Sequence, residues 1–440
     1  MDYGKTLHLP ATEFPMRGNL PKREPEYLKF WEDNKIYEKR LELRKGNKSF
    51  VLHDGPPYAN GKLHIGHALN KTLKDIIMKY KTMQGYYTPY IPGWDTHGLP
   101  IEHAIIKNTG LNRHEMSPLD LRAKCKEYAL QCVEEQKKDF IRFGVLGRFE
   151  DPYLTLKPAF EVKQLGIFGE MAKRGYIYKG LKTVYWCTHC ETALAEAEIE
   201  YHEKKSFSIY VKYAYVDEVK RTLPENVDPA KAYAVIWTTT PWTLPASQAI
   251  SVNPDLEYAW VQVGDEYYLM AVELVESAMK DAQVEDYKVV KTFPGSDLEL
   301  ATFKHPFVNR EVKVLLGDHV TLEAGTGCVH TAPAHGEEDF GIFQKYNKEG
   351  KINTEILSFV NATGNYVAAV DNDRYGDTEE MLAGKEIHEA EVPILKILAH
   401  NGALLHKGTL RHQYAHCWRC KNPVIYRCLL YTSPSPRDTR

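Results

Sequence analysis

The sequence predicts an α/β fold on three observations. A strand, turn, helix and second strand follow one another over about fifty residues near the start. Two buried-strand patterns occupy the middle, and two CxxC pairs with 226 residues between them bracket that middle. At 440 residues the chain exceeds the size at which one hydrophobic core stops growing, so two or three domains are expected. Hydrophobic residues make up 43%, the net charge is −3 and no run of eighteen apolar residues occurs, which excludes the membrane-spanning and disordered classes. So balanced a charge offers phosphate little sequence-independent attraction, and any nucleic acid would be held by local basic patches. The opening "MDYGKTLHLPATEFPMRG" lacks the pattern of a signal or transit peptide, so a cytoplasmic protein is expected. Eight cysteines are too few for a disulfide scaffold, and CxxC pairs in a cytosolic chain point to metal or redox chemistry. No internal repeat at a fixed period is visible.

In chain order, "EPEYLKFWEDNKIYEKRLELRKGNK" reads as one charged amphipathic helix ending at Gly46. "SFVLHDGPPYANG" follows as a short apolar strand running into a Gly/Pro turn. Ile65, Leu69, Leu73, Ile76, Ile77, Tyr80 and Met83 then recur at three and four residues, the core stripe of a helix. "GYYTPYIPGWDTHGLPIE" supplies a second strand, broken at Pro92-Gly93. Together they make a βαβ unit with a right-handed crossover and a parallel sheet, and ligands of such sheets sit outside the carboxyl ends of the strands.

"LHIGHALN" places His64 and His67 on the first turn of that helix, where backbone N–H groups and the helix dipole favour a phosphate. Gly66 lets a base or ribose approach the backbone. Two imidazole donors beside a triphosphate could stabilise charge as the α-phosphate is attacked; the alternative is one surface and one capping histidine. No GxGxxG occurs, and "GPPYANGKL" misses a phosphate-binding P-loop by one residue in spacing and by Leu63 in place of Ser or Thr.

The stretch from "FVLHDGPPYANGKLHIGHALN" through "IPGWDTHGLPIE" resembles the isoleucyl-tRNA synthetases, a family of class I aminoacyl-tRNA synthetases, and the resemblance runs from about Pro15 to Arg427. It implies the first half of a Rossmann-like nucleotide-binding catalytic domain. It further implies that His64, Gly66 and His67 of the "HIGH" tetrapeptide bind ATP, taken with Mg2+, and help the amino-acid carboxylate attack the α-phosphate. On the same basis Gly55 and Pro56 line the amino-acid pocket and Asp95 holds the substrate ammonium, as a carboxylate would; the alternative for Asp95 is a turn cap. Isoleucine is favoured over valine, although a valine-type synthetase shares the architecture.

One methylene in an apolar pocket is worth only roughly 1–3 kcal/mol, for which isoleucine against valine is the standard worked example, and a second hydrolytic sieve is its answer. "AYAVIWTTTPWTLPAS" reads as a buried strand opening into a loop of threonines, and "EAGTGCVHTAPAHGEEDFG" as a Gly-rich turn, a strand and a helix starting near Glu337. Both resemble the family's inserted editing domain. The resemblance implies that Thr238, Thr239, Thr240, His330 and Asp339 surround the ester joining a wrong amino acid to the tRNA 3′ end. Asp339 would hold the α-ammonium, the hydroxyls would position ribose and water, and His330 would orient substrate or water. With no Ser or Cys nucleophile in view, hydrolysis is expected to work by positioning and electrostatics.

Cys187 and Cys190 of "YWCTHCET", with Cys417 and Cys420 of "AHCWRCKN", supply four thiolates for a tetrahedral Zn2+ knuckle, provided an inserted domain returns to its own stalk. His189 and His416 stand nearby as substitute ligands, and reduced unpaired thiols are the alternative. Cys125, Cys132 and Cys328 have no metal spacing and read as small buried hydrophobes.

The expected domains are 1–194, the first catalytic half with the first Cys pair; 195–405, the β-rich editing insertion; 406–427, the return stalk with the second pair; and 428–440, "CLLYTSPSPRDTR", read as foreign sequence outside the fold. The resemblance leads one to expect a KMSKS loop and anticodon-binding helices, which do not occur here, so the chain is expected to be cut short of a complete adenylate site. The expected function is an isoleucine–tRNA ligase acting on ATP, isoleucine and tRNA(Ile), monomeric, with editing of valyl-tRNA(Ile). Two alternatives remain: a deacylase fragment, and a nucleotide- or RNA-binding module with no catalysis.

Overall fold

The computed structural model describes residues 3–7, 17–110, 112, 115–218, 222–374, 376 and 378–431. The chain divides into two compact units, Met1–Tyr176 and Ile177–Arg440.

The first unit is mainly helical. The single opening helix expected from the sequence is two, α1 (Leu20–Asp33) and α2 (Ile36–Leu43). The break falls at Asn34, whose side-chain amide donates to the Phe30 carbonyl at 2.9 Å, and at Lys35, which takes φ 50° and so cannot continue a right-handed helix. Next come α3 (Ile65–Met83), β1 (Gly93–Trp94), α4 (Leu99–Thr109), α5 (Pro118–Arg142), β2 (Tyr153–Leu154) and α6 (Pro158–Lys173). β1 and β2 pair in parallel, Gly93 opposite Tyr153 and Trp94 opposite Leu154. Parallel bridges join Ser49 to Tyr87 and Tyr58 to Asp95. The strand direction of a βαβ unit is therefore present, but as isolated bridges, because Pro56, Pro57, Pro89 and Pro92 carry no N–H to extend a ladder.

Helix α3 overturns the expected core stripe. Ile65, Leu69, Leu73, Ile76, Ile77, Tyr80 and Met83 are exposed, and the buried face carries Lys71, Asp75, Met78 and Thr82. Periodicity located the helix, but its inward side is chosen by polar partners: Lys71 reaches Asp54, Asp75 accepts the Leu146 N–H at 3.1 Å, and the Thr82 hydroxyl lies 2.5 Å from that of Thr88. The core of this unit gathers Met78, Tyr90, Trp94, Ile101 and Phe140. Within it the Trp94 indole donates to Gln136 Oε1 at 3.0 Å, and the Gln136 amide donates to the carbonyls of Tyr58 and Gly61, pinning the 54–61 loop to α5.

The second unit is mostly strand. It begins with β3 (Gly180–Cys187), β4 (Thr192–Leu194), β5 (Ile199–Tyr215), β6 (Ala232–Thr238), β7 (Ala249–Val252), β8 (Glu257–Val263) and β9 (Glu266–Ala271). Helix α7 (Val275–Asp281) is followed by β10 (Lys288–Pro294), β11 (Thr302–Lys304), β12 (Glu311–Leu316) and β13 (Val329–Thr331). The chain continues through α8 (Glu337–Lys348), α9 (Glu391–His400), β14 (Leu404–Cys417) and β15 (Ile425–Tyr431). Among the described residues one ten-stranded sheet has the order β10-β8-β9-β6-β5-β11-β12-β7-β13, with β14 against β5. Its core centres on Tyr213, Tyr258, Trp260, Phe303 and Phe307.

β14 runs antiparallel along β5 from Leu404 opposite Val211 to Cys417 opposite Ile199. This ribbon returns the chain to its starting point, beside a three-stranded sheet in the order β15-β3-β4. The first Cys pair thus lies in the second unit, not with residues 1–176 as the expected boundary at 194 had it, because β3 pairs with β4 and β15. Residues 428–431, expected to lie outside the fold, extend β15 opposite Gly180–Thr183, where apolar Leu429 and Leu430 suit a strand. Residues 432–440 lie outside the described residues. Among the described residues no helix is long and apolar enough to cross a membrane.

Candidate functional site

Helix α3 opens with a reciprocal cap. The His64 Nδ1 accepts the Gly66 N–H at 3.1 Å, and the His67 Nδ1 accepts the His64 N–H at 3.2 Å. With both Nδ1 atoms accepting, each neutral ring carries its hydrogen on Nε2. The rings stack with centroids 3.8 Å apart. Burial, and after it the charge of His64, lowers the His67 pKa below the ordinary imidazole value. A Cβ at Gly66 would lie 2.9 Å from the His64 ring, so this geometry requires glycine. Two Nε2–H donors at a helix N-terminus make a setting for an anion.

Beside it, Asp54 ties the neighbouring segments together. Its buried carboxylate accepts from Lys71, from the Lys74 ammonium at 2.8 Å and from the Gly93 N–H at 3.0 Å, while its carbonyl accepts the Tyr153 hydroxyl. Burial would push the Asp54 carboxyl up, but the two lysines outweigh it and hold it below the carboxylate range. Lys71 moves down because burial outweighs the pull of Asp54. The pair's two directions conflict, and the carboxylate's decides: Asp54 has two cations and a backbone donor, Lys71 a single carboxylate and the Tyr90 hydroxyl at 3.3 Å. Asp95 is half-buried; its Oδ1 accepts the His97 N–H at 3.3 Å and the Thr155 hydroxyl at 3.4 Å. The Asp95 backbone donates to the Pro57 carbonyl at 2.9 Å and accepts from the Ala59 N–H at 2.8 Å. Asp95 is thereby tied to the loop that carries Gly55 and Pro56, and Asp54 of that loop to Lys71 and Lys74 of α3.

The second unit holds a cavity of about 830 Å³ whose wall includes Thr240, Trp242, Thr243, His335, Asp339 and Tyr414. Thr238, the last residue of β6, accepts the Thr240 N–H at 3.1 Å, and the two hydroxyls lie 3.2 Å apart. Thr239 is half-buried in the same run. The Thr243 hydroxyl donates to the Thr240 carbonyl at 2.9 Å, so the His330 Nε2, 3.1 Å away, donates to Thr243. His330 Nδ1 is buried without a partner among the described residues, and burial lowers this imidazole to about 4. Asp339 keeps some exposed surface as a residue, but its carboxyl group is enclosed; burial raises it to about 6, against the Ala332 N–H that its Oδ2 accepts at 2.8 Å.

Where β3 and β14 end, the sulfur atoms of Cys187, Cys190, Cys417 and Cys420 all lie within 4.8 Å of one another. A tetrahedral Zn2+ with Zn–S of about 2.3 Å separates its sulfurs by about 3.8 Å, so the four residues fit that ion.

Residues 26–361 match the family described as tRNA synthetases class I (I, L, M and V). The chain belongs to the class I tRNA synthetases. Curated relatives named isoleucine–tRNA ligase include those of Caldicellulosiruptor bescii and Caldicellulosiruptor saccharolyticus, each 54% identical over 428 residues. That of Moorella thermoacetica is 55% identical over 427 residues. All three alignments take in 97% of this chain, which spans about half the length of these relatives, 45%, 45% and 44%.

Of the editing residues expected in this synthetase, Thr240 and Asp339 stand in the cavity wall, Thr238 lies against Thr240, and His330 sits one layer behind Thr243. Sequence reasoning passed over Trp242, Thr243 and His335, although all three lie inside the two quoted motifs. Tyr414 and Tyr426 come from β14 and β15, and nothing local in the sequence ties them to a cavity formed by threonines more than 170 residues earlier.

Proposed function

We propose that this synthetase acts as an isoleucine–tRNA ligase, activating isoleucine with ATP and Mg2+, transferring it to tRNA(Ile), and hydrolysing valyl-tRNA(Ile). The observation that carries the reading is 54% identity across 97% of the chain to relatives of that name. His64, Gly66 and His67 take the triphosphate, Gly55 and Pro56 line the isoleucine pocket, and Asp95 receives the ammonium. In the cavity, Asp339 holds the α-ammonium of the mischarged amino acid. The hydroxyls of Thr238, Thr239 and Thr240, with His330 supporting Thr243, position the ribose. The four cysteines hold a structural Zn2+, and the protein works as a cytoplasmic monomer.

A second reading, a deacylase that needs neither ATP nor isoleucine, is favoured by the cavity's being lined wholly from the second unit. The test is hydrolysis of valyl-tRNA(Ile) and isoleucyl-tRNA(Ile) by the 440-residue chain without ATP. Selective loss of valine, abolished in Asp339→Ala, is expected. Equal loss of both esters, or loss undiminished in Asp339→Ala, would overturn the editing assignment. Isoleucine-dependent exchange of pyrophosphate into ATP separates the ligase from the deacylase.

A further inference from the structure

Two histidines stand near the cavity, and they are held in opposite ways. His330 spends its Nε2 on Thr243, behind the wall. His335 is in the wall itself, with its Nδ1 3.0 Å from the Tyr426 carbonyl. A carbonyl only accepts, so the hydrogen is on Nδ1 and the Nε2 of His335 carries a lone pair. That Nε2 makes no hydrogen bond to any described residue. The ring's plane is fixed from two sides, by the backbone of β15 and by Trp242, which meets it edge-on at 5.0 Å between centroids.

Resting on the editing reading above, we infer that His335 is a catalytic residue of the hydrolysis, its Nε2 accepting the hydrogen of the attacking water. As the water oxygen bonds to the ester carbonyl carbon, its proton passes to Nε2. The bond from that carbon to the ribose oxygen breaks, and the ribose oxygen takes the proton back from Nε2. Valine and a tRNA with a free 3′ terminus leave, and no other reactant is needed.

The surroundings leave this task to His335. Asp339 already binds the Ala332 N–H and supplies the charge an ammonium needs, and threonine hydroxyls are not bases at neutral pH. Glu337 and Glu338 also border the cavity, but they are exposed first-turn residues of α8. Burial lowers His335 to about 4, so the lone pair is available throughout the neutral range. A base that weak suffices for an aminoacyl ester, whose carbonyl is already activated.

The test compares the chain with His335→Asn and His335→Gln on valyl-tRNA(Ile). Asparagine can keep the donor to the Tyr426 carbonyl while removing the Nε2 lone pair. A fall in kcat of about 100-fold is expected, with KM, zinc content and melting temperature unchanged. Should asparagine lower the melting temperature, His335→Gln is read in its place with the same expectation. Wild-type rates in the folded variants, or a rise in KM with kcat intact, would overturn the assignment to His335 alone. A folded wild-type chain that leaves the valyl ester untouched would overturn the editing reading and this inference with it.

Discussion

The Cys187 sulfur lies 3.4 Å from the Cys420 sulfur across 233 residues of sequence. The β5–β14 ribbon makes this approach, since its register ends with Cys417 opposite Ile199. A closed four-thiolate site contributes its metal-binding free energy to folding. One zinc per chain is therefore expected by metal analysis, and a chelator should lower the melting temperature. Cys420→Ser should lose the metal and melt as the chelated protein does. A chain with no stoichiometric zinc, indifferent to chelator, would remove the site.

Asp339 predicts two pH effects of opposite benefit. Its carboxyl is raised from 3.8 to about 6 by burial, so between these values the folded state binds more protons than the unfolded one. Stability from this group is therefore present at low pH and lost as pH rises through about 6, at most about 3 kcal/mol of it. Asp339→Asn should be more stable than wild type at pH 7.5 and no more stable at pH 4, read by urea unfolding. Binding an ammonium needs the ionised form, so KM for valyl-tRNA should rise as pH falls below about 6. A KM independent of pH from 5 to 8 would separate Asp339 from substrate binding.

Much of this was legible in local sequence because it depends on local chemistry. β6 ends at Thr238 and α8 starts at Glu337, as the buried run opening into threonines and the "HGEEDFG" stretch indicated. The return of Cys417 and Cys420 to Cys187 and Cys190, distant in sequence, followed instead from the resemblance, which implies that the middle is an insertion. What failed depended on partners distant in sequence. The apolar periodicity of α3 predicts a core-facing stripe, yet Asp54 draws Lys71 inward and the stripe stays exposed. His335 went unnoticed because its role follows from Tyr426, 91 residues on, which fixes the tautomer.

Gly93 marks a close approach that sequence showed only as a strand break. A Cβ built there would fall inside the van der Waals surface of the Tyr153 ring, which β1–β2 pairing places directly opposite. Gly93→Ala should destabilise the first unit by about 1–3 kcal/mol, through overpacking and the weakened Gly93 N–H to Asp54 contact. Urea unfolding checks this, and a neutral substitution would mean that Tyr153 can swing aside.

The Asp54 cluster can be tested by breaking it from either side. Lys71→Met removes one of two cations from a carboxylate with no exposed surface, leaving Lys74 as its remaining cation beside the Gly93 N–H. Removing one partner of a buried pair costs about 3–5 kcal/mol, and the surviving Lys74 sets the expectation at the lower end. Replacing both partners, Asp54→Asn with Lys71→Met, should recover much of the loss, since no fully buried charge is then left unpaired and the Lys74 ammonium, which loses its carboxylate, still reaches solvent. The sign with pH follows from the Asp54 carboxyl being held below its ordinary 3.8: the cluster stabilises the fold above that pH and is lost as pH falls through the lower folded value. Lys71→Met should therefore flatten the acid limb of the stability curve as well as lower its plateau. A double variant no more stable than Lys71→Met, measured by urea unfolding at neutral pH, would show that the Lys71 ammonium acts through the Phe140 ring it lies over, 4.9 Å from the centroid, and not through Asp54.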